Sequence, residues 1–151
     1  MALIKSIKGL TPKWGKDCYF SENATIVGEV TMGDECSVWF NAVVRGDVAP
    51  ITMGNGVNVQ DGACIHVTNT TGPTHIGNRV SIGHNATVHA CTIHDGALVG
   101  MGATLLDHCE IGEGAVVEAR KSGLTRYGAA FRQSISRPQD PTRQKVSQPI
   151  T

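Results

Sequence analysis

The stretch I-G-H-N-A-T-V-H-A-C-T-I, Ile82 to Ile93, decides the fold, and the rest of the chain reads outward from it. It opens on an aliphatic–glycine step that also stands at Ile76-Gly77, Val99-Gly100 and Ile111-Gly112. Marking the large aliphatic residue of each unit gives Ile26, Met32, Val38 and Val44, each six residues apart. After a three-residue slip the series resumes at Met53, Val59 and Ile65. After an insertion it continues through Ile76, Ile82 and Val88, then Ile93 (one residue short), Val99, Leu105, Ile111 and Val117. Four residues beyond most markers sits a small or β-branched residue: Val30, Cys36, Ala42, Val48, Val57, Ala63, Val80, Ala86, Ala97, Ala103, Cys109 and Ala115. The unit therefore has two inward apolar positions and a turn rich in Gly, Asn and Asp.

A period of six excludes a helix, because it is not a multiple of 3.6 and glycine recurs within the units. Units this short cannot bury a core alone. Stacked as the sides of a coil they bury one continuous stripe, each strand pairing with the strand one rung away. Three units per rung give an eighteen-residue repeat and a triangular prism. The pattern is that of the hexapeptide-repeat proteins, whose fold is a left-handed parallel β-helix. The hand comes from that resemblance, since the general rule for parallel crossovers favours the opposite one.

Counting units round the prism assigns the markers to sides. Val38, Val59, Ile82 and Val99 fall on the first side, Val44, Ile65, Val88 and Leu105 on the second, and Met53, Ile76, Ile93 and Ile111 on the third. The residue after each marker points outward, so the second side presents the column Arg45, His66, His89, Leu106. His66 and His89 are then one strand spacing apart, about 4.8 Å, close enough to share a metal ion. His84 lies at the corner of the first side, in the column Phe40, Asp61, His84, Met101. Outward side chains on different faces diverge, so His84 can join the other two only across an interface between copies. Three copies about a threefold axis would form three such sites. Three histidines with an open fourth position are the ligand set of a catalytic zinc. Neutral imidazoles accept iron and cobalt as well. His75, His94 and His108 have no such partners and read as ordinary surface or turn residues.

The formal charge is zero, from 13 Lys and Arg against 13 Asp and Glu. It divides unevenly: residues 1–119 carry six basic and twelve acidic residues, residues 120–151 seven and one. The basic residues of the tail are dispersed among Ser, Gln and Pro, which fits a solvated segment better than a nucleic-acid contact. No segment is long and apolar enough to span a membrane, and no signal-peptide pattern opens the chain, so a cytoplasmic location is the expectation. The five cysteines, Cys18, Cys36, Cys64, Cys91 and Cys109, lack zinc-ligand spacing and read as small buried residues.

The motifs W-F-N-A-V-V-R-G-D-V-A-P-I, N-V-Q-D-G-A-C-I-H-V and S-I-G-H-N-A-T-V-H-A-C-T-I together resemble the γ-class carbonic anhydrases, over roughly residues 10–119. The resemblance implies an enzyme for reversible hydration of carbon dioxide to bicarbonate by metal-bound hydroxide. It makes His66, His84 and His89 the zinc ligands of a homotrimer, with His84 coming from the neighbouring subunit. Gln60 would hydrogen-bond the hydroxide. Arg45 would pair with acids across the interface, Asp47 and Asp61 being the candidates, and help hold the product anion. Neither nucleic acid nor membrane is implied as a partner.

Two departures stand out. Val48 follows Asp47 where the best-studied form has an acid, and the loop Val67–Thr74 has no carboxylate, so the proton shuttle of that form is missing. Turnover is then expected to be slow unless buffer, or His75, carries the proton. The tail from 120 to 151 also differs, losing the period after Val117 and offering only a weak helical pattern around Gly123–Ser134. The expected organisation is a β-helix domain, residues 1–119, and a basic tail, residues 120–151, with Tyr127 the tyrosine nearest to where relatives place one. Two other functions share the coil: acyl transfer or metal-assisted thioester hydrolysis on CoA esters, and a non-catalytic metal-stabilised trimeric scaffold.

Overall fold

The computed structural model describes residues 1–120 and the two-residue strand Ser122–Gly123. Tyr127 and the helical pattern beyond Gly123 lie outside the described residues. Within them, sixteen strands, β1 to β16 in chain order, build an all-β parallel solenoid of about five turns. The first side is a six-stranded sheet: β2 (Tyr19–Phe20), β4 (Ser37–Val38), β6 (Asn58–Val59), β9 (Ser81–Ile82), β12 (Leu98–Val99) and β15 (Val116–Val117). The second side holds β1 (Leu3–Lys5), β7 (Cys64–His66), β10 (Thr87–His89), β13 (Thr104–Leu105) and β16 (Ser122–Gly123). The third holds β8 (Thr74–Ile76), β11 (Thr92–Ile93) and β14 (Glu110–Ile111). β3 (Thr25–Met32) and β5 (Val43–Met53) run round the corner between these two sides and join them into one sheet.

The ladders reproduce the sides read from the repeat. Val38 pairs with Val59 and Val59 with Ile82; Val44 pairs with Ile65 and Ile65 with Val88; Met53 pairs with Ile76 and Ile76 with Ile93. Their side chains form one core, with Ile26, Val44, Ile65, Ile82, Val88, Val99 and Leu105 fully buried. One inward position differs from the expectation. Ala49, not Val48, is the buried residue of the slip, because β5 absorbs its extra residues at the bend opposite Gly28–Val30 and the side-chain phase shifts there. That bend brings backbones into close approach. A Cβ at Gly46 would lie 2.4 Å from the Glu29 carbonyl oxygen. The glycine of Arg45-Gly46-Asp47 is therefore required by packing, and it sends its two charged neighbours off a sharp corner.

The corner between the third and first sides carries a ladder of side-chain amides and carboxylates. Asp34 Oδ1 accepts the Lys16 N–H at 2.7 Å, Asn55 Oδ1 that of Asp34 at 2.8 Å, Asn78 Oδ1 that of Asn55 at 2.9 Å, and Asp95 Oδ1 that of Asn78 at 2.8 Å. Each short side chain satisfies a turn N–H one rung away, which a strand ladder cannot reach. The series ends where Glu113, longer and exposed, takes the next turn. Asn41 and Asn85, with φ of 58° and 56°, occupy the left-handed turn position that asparagine tolerates.

Candidate metal centre

Ile65 and Val88 point into the core with no exposed surface, so the residues that follow them, His66 and His89, must point out from the second side. β7 and β10 set them directly opposite each other in register. Their ring centroids are 5.1 Å apart, tilted by 55°, and His66 Nδ1 lies 3.2 Å from His89 Nε2. Two nitrogens bonded to one tetrahedral metal at ~2.0–2.1 Å stand about 3.3 Å apart. The separation of the pair matches that of two ligands on one metal ion.

The far nitrogen of each ring is held by a carboxylate. His66 Nε2 donates to Asp47 Oδ1 at 2.9 Å, and His89 Nδ1 donates to Asp107 Oδ1 at 2.6 Å. Arg45 Nη1 donates to the second oxygen of Asp47, and the Thr68 hydroxyl to the second oxygen of Asp107. Thr74 Oγ1 donates to the His66 carbonyl at 2.7 Å, which ties the far end of the Val67–Thr74 insertion back to the end of β7. Burial opposes charge on Asp47, but hydrogen bonds from His66 and then Arg45 outweigh it and hold the carboxyl below its ordinary range. For Asp107 the hydrogen bond from Thr68 is the leading cause. With that from His89 it overcomes the opposing burial and lowers the carboxyl likewise.

The other expected residues lie elsewhere on the coil. His84 Nδ1 is 2.9 Å from Asp61 Oδ2, both side chains 42% exposed at the corner of the first side. Phe40 and Met101, the other members of that column, are exposed, at 42% and 58%. Gln60 is half-buried in the turn after β6, its N–H donating to the Ile82 carbonyl at 2.9 Å. Among the described residues, no group of three or more His, Cys, Asp or Glu within the chain is set to hold a metal ion. The exposed His75 and His94 are engaged with Thr52 at 2.7 Å and Glu110 at 2.6 Å. The five cysteines are free thiols.

Asp107 and Thr68 were not legible as site residues. Asp107 stands one place beyond the Arg45–His66–His89–Leu106 column, at the position that the buried Val67 and Ala90 hold on the two preceding rungs, so the count gives no reason to expect a site residue there. The one signal was a carboxylate placed directly after Leu105-Leu106.

No family model matches the chain. It is 44% identical over 133 residues to "Gamma carbonic anhydrase 2, mitochondrial" of Arabidopsis thaliana, covering 85% of this chain and 45% of that protein. It is 42% identical over 112 residues to a carbonic anhydrase of Geobacillus kaustophilus, covering 74% and 61%. A crystal structure of a candidate acetyltransferase from Bacillus cereus superposes with a TM-score of 0.66 at 37% identity, covering 80% of this chain and 73% of that one. The chain thus spans about half the length of the curated relatives it matches. With the coil and its paired histidines, these likenesses place it in a single group. The chain belongs to the γ-carbonic-anhydrase-like hexapeptide-repeat family.

Proposed function

We propose that the chain assembles as a homotrimer with a zinc ion at each interface and catalyses reversible hydration of carbon dioxide to bicarbonate. The observation that carries this reading is the pair of facing nitrogens, His66 Nδ1 and His89 Nε2, 3.2 Å apart with both far nitrogens on carboxylates. His66 and His89 of one copy and His84 of the next would complete the ligand set; iron or cobalt would fit the same imidazoles. A zinc ion held there would supply the chemistry of a water that loses its proton near neutral pH, at a pKa of about 7.

The chain's own residues do the rest. Asp47 and Asp107 keep the two imidazoles turned toward one another. The Gln60 side-chain amide would orient the reacting oxygen through a hydrogen bond. Arg45, 43% exposed, offers a planar donor fork to the two oxygens of the product anion, while Asp47 holds its other side. Phe40 and Met101 exclude water when a second copy packs over the Asp61–His84 corner. The Val67–Thr74 insertion provides no carboxylate to take the proton away, so buffer or His75 does it and turnover is slow.

The test is metal content per chain together with mass in solution, on untagged protein prepared without chelators, followed by carbon dioxide hydration. About one metal per chain in a threefold assembly, with hydration that His66→Ala removes, supports the reading. Full hydration activity in that variant would end it. The likeness to a candidate acetyltransferase favours a second reading, turnover of a CoA ester on the same coil. Acyl-CoA consumption without hydration would support it, and a metal-loaded trimer with neither activity would mark a scaffold.

A further inference from the structure

We propose that Asp107, bridging Thr68 and His89 across three successive rungs, is a positioning residue that fixes the tautomer and orientation of His89 for metal binding. The proposal rests on the metal reading above, and three observations carry it.

The first is the direction of the bond. His89 Nδ1 lies 2.6 Å from Asp107 Oδ1, and a carboxylate only accepts, so the proton sits on Nδ1. In the neutral ring the lone pair is then left on Nε2, the atom that faces His66 at 3.2 Å. A neutral imidazole in water favours the opposite tautomer, which would point an N–H at the metal position. The second is how the carboxylate is itself held. The Thr68 hydroxyl reaches Asp107 Oδ2 from a position 39 residues away in sequence, and so over the rung that carries His89. Thr68 is placed by its own insertion: its N–H donates to the Gly72 carbonyl at 3.0 Å, and Gly72 returns the bond at 3.3 Å. The third is enclosure, with the Asp107 and His89 side chains only 33% and 29% exposed. A carboxylate fixed at both oxygens orients a ring where a free one would swing. Partners of this kind, behind a metal-ligating histidine, typically contribute 10–100-fold in affinity.

The experiment uses histidine labelled with 15N in the full chain, with and without zinc. In metal-free wild type with neutral imidazoles, His89 is expected as the Nδ1–H form. Asp107→Ala should shift it toward Nε2–H and weaken zinc binding about 10–100-fold. Asp107→Asn keeps an acceptor and should restore the tautomer, with zinc affinity between the two; a merely structural loss would not be rescued in this pattern. Should Asp107→Ala fail to fold, Thr68→Val, which frees one carboxylate oxygen, should give a smaller shift in the same direction. An unchanged His89 tautomer in a folded Asp107→Ala protein overturns the proposal, as does unchanged zinc affinity in that variant. Wild type that shows the Nδ1–H form yet binds no zinc overturns the metal reading instead, and leaves Asp107 holding a ring for no ion.

Discussion

His66 Nδ1 faces His89 Nε2 at 3.2 Å, on two outward side chains that one ladder sets opposite each other. Each ring is braced from behind by a carboxylate. A site made this way loses its metal when either imidazole goes, since the remaining donors cannot hold zinc against water. His66→Ala and His89→Ala are each expected to fall from about one zinc per chain to near zero while remaining folded. Elemental analysis after gel filtration, beside a circular-dichroism melt, checks this. A folded His66→Ala protein with full zinc content would sink the shared-site reading.

The amide ladder makes a prediction independent of any metal. Asn55→Ala removes the acceptor of the Asp34 N–H at a solvent-exposed turn, which costs about 0.5–1.5 kcal/mol. Gly33→Ala costs more, because its Cβ would lie 2.1 Å from Asn55 Oδ1. Combining the two removes the side-chain overlap and leaves only the backbone contacts at 2.9 Å with Asn55 N and Gly54 C, so the double variant should be less destabilised than the two losses added together, by about 0.5–3 kcal/mol. Urea unfolding of the four proteins measures the coupling. Simple additivity would show that Asn55 and Gly33 do not meet as described.

The sequence exposed what is periodic. The three sides, the Arg45–His66–His89 column and the separate corner of His84 all follow from counting sixes, because stacking forces equivalent positions into one line. What joins non-equivalent positions left no such trace. Thr68 comes from an insertion and Asp107 from a turn position whose counterparts on the preceding rungs, Val67 and Ala90, are buried, and only the folded coil brings them to His89. Val48 misled for a related reason: at a bulge, position in the repeat no longer tells which way a side chain points. The turn asparagines were visible as turn formers, but which backbone N–H each would accept depends on register between rungs. The hand of the coil is not written in the period at all.

Acid should act on the Asp95 corner in a definite direction. Hydrogen bonds from Asn78, first from its side chain and then from its backbone, hold the Asp95 carboxyl below its ordinary range. A lowered native pKa means the unfolded chain takes up the proton first. The stabilisation is therefore complete well above the ordinary carboxyl value of about 3.9 and is lost as pH falls through the lower native value. Asp95→Asn has no such titration. The stability difference between wild type and Asp95→Asn should stay level from about pH 7 to 5 and narrow, in the variant's favour, toward pH 3. Thermal melts across that range test it, and a difference that widened on acidification would contradict the assignment.

The first-side corner decides whether the site is shared between copies. Phe40 and Met101 are exposed at 42% and 58%, and the Asp61–His84 pair sits between them in the column. A second copy packed there would bury both apolar side chains and bring its own His66–His89 face to His84. Met101→Glu leaves every candidate ligand in place but puts an unpaired charge into that contact, where burial without a partner is costly. Light scattering should then give the mass of a single chain, and zinc should be lost with the assembly, the two remaining imidazoles being too few. His84→Ala should lose zinc too. If Met101→Glu becomes monomeric yet keeps about one tightly bound zinc per chain, His84 is not supplied by a neighbour. The metal centre would then have to be rebuilt from His66, His89 and groups of the same copy.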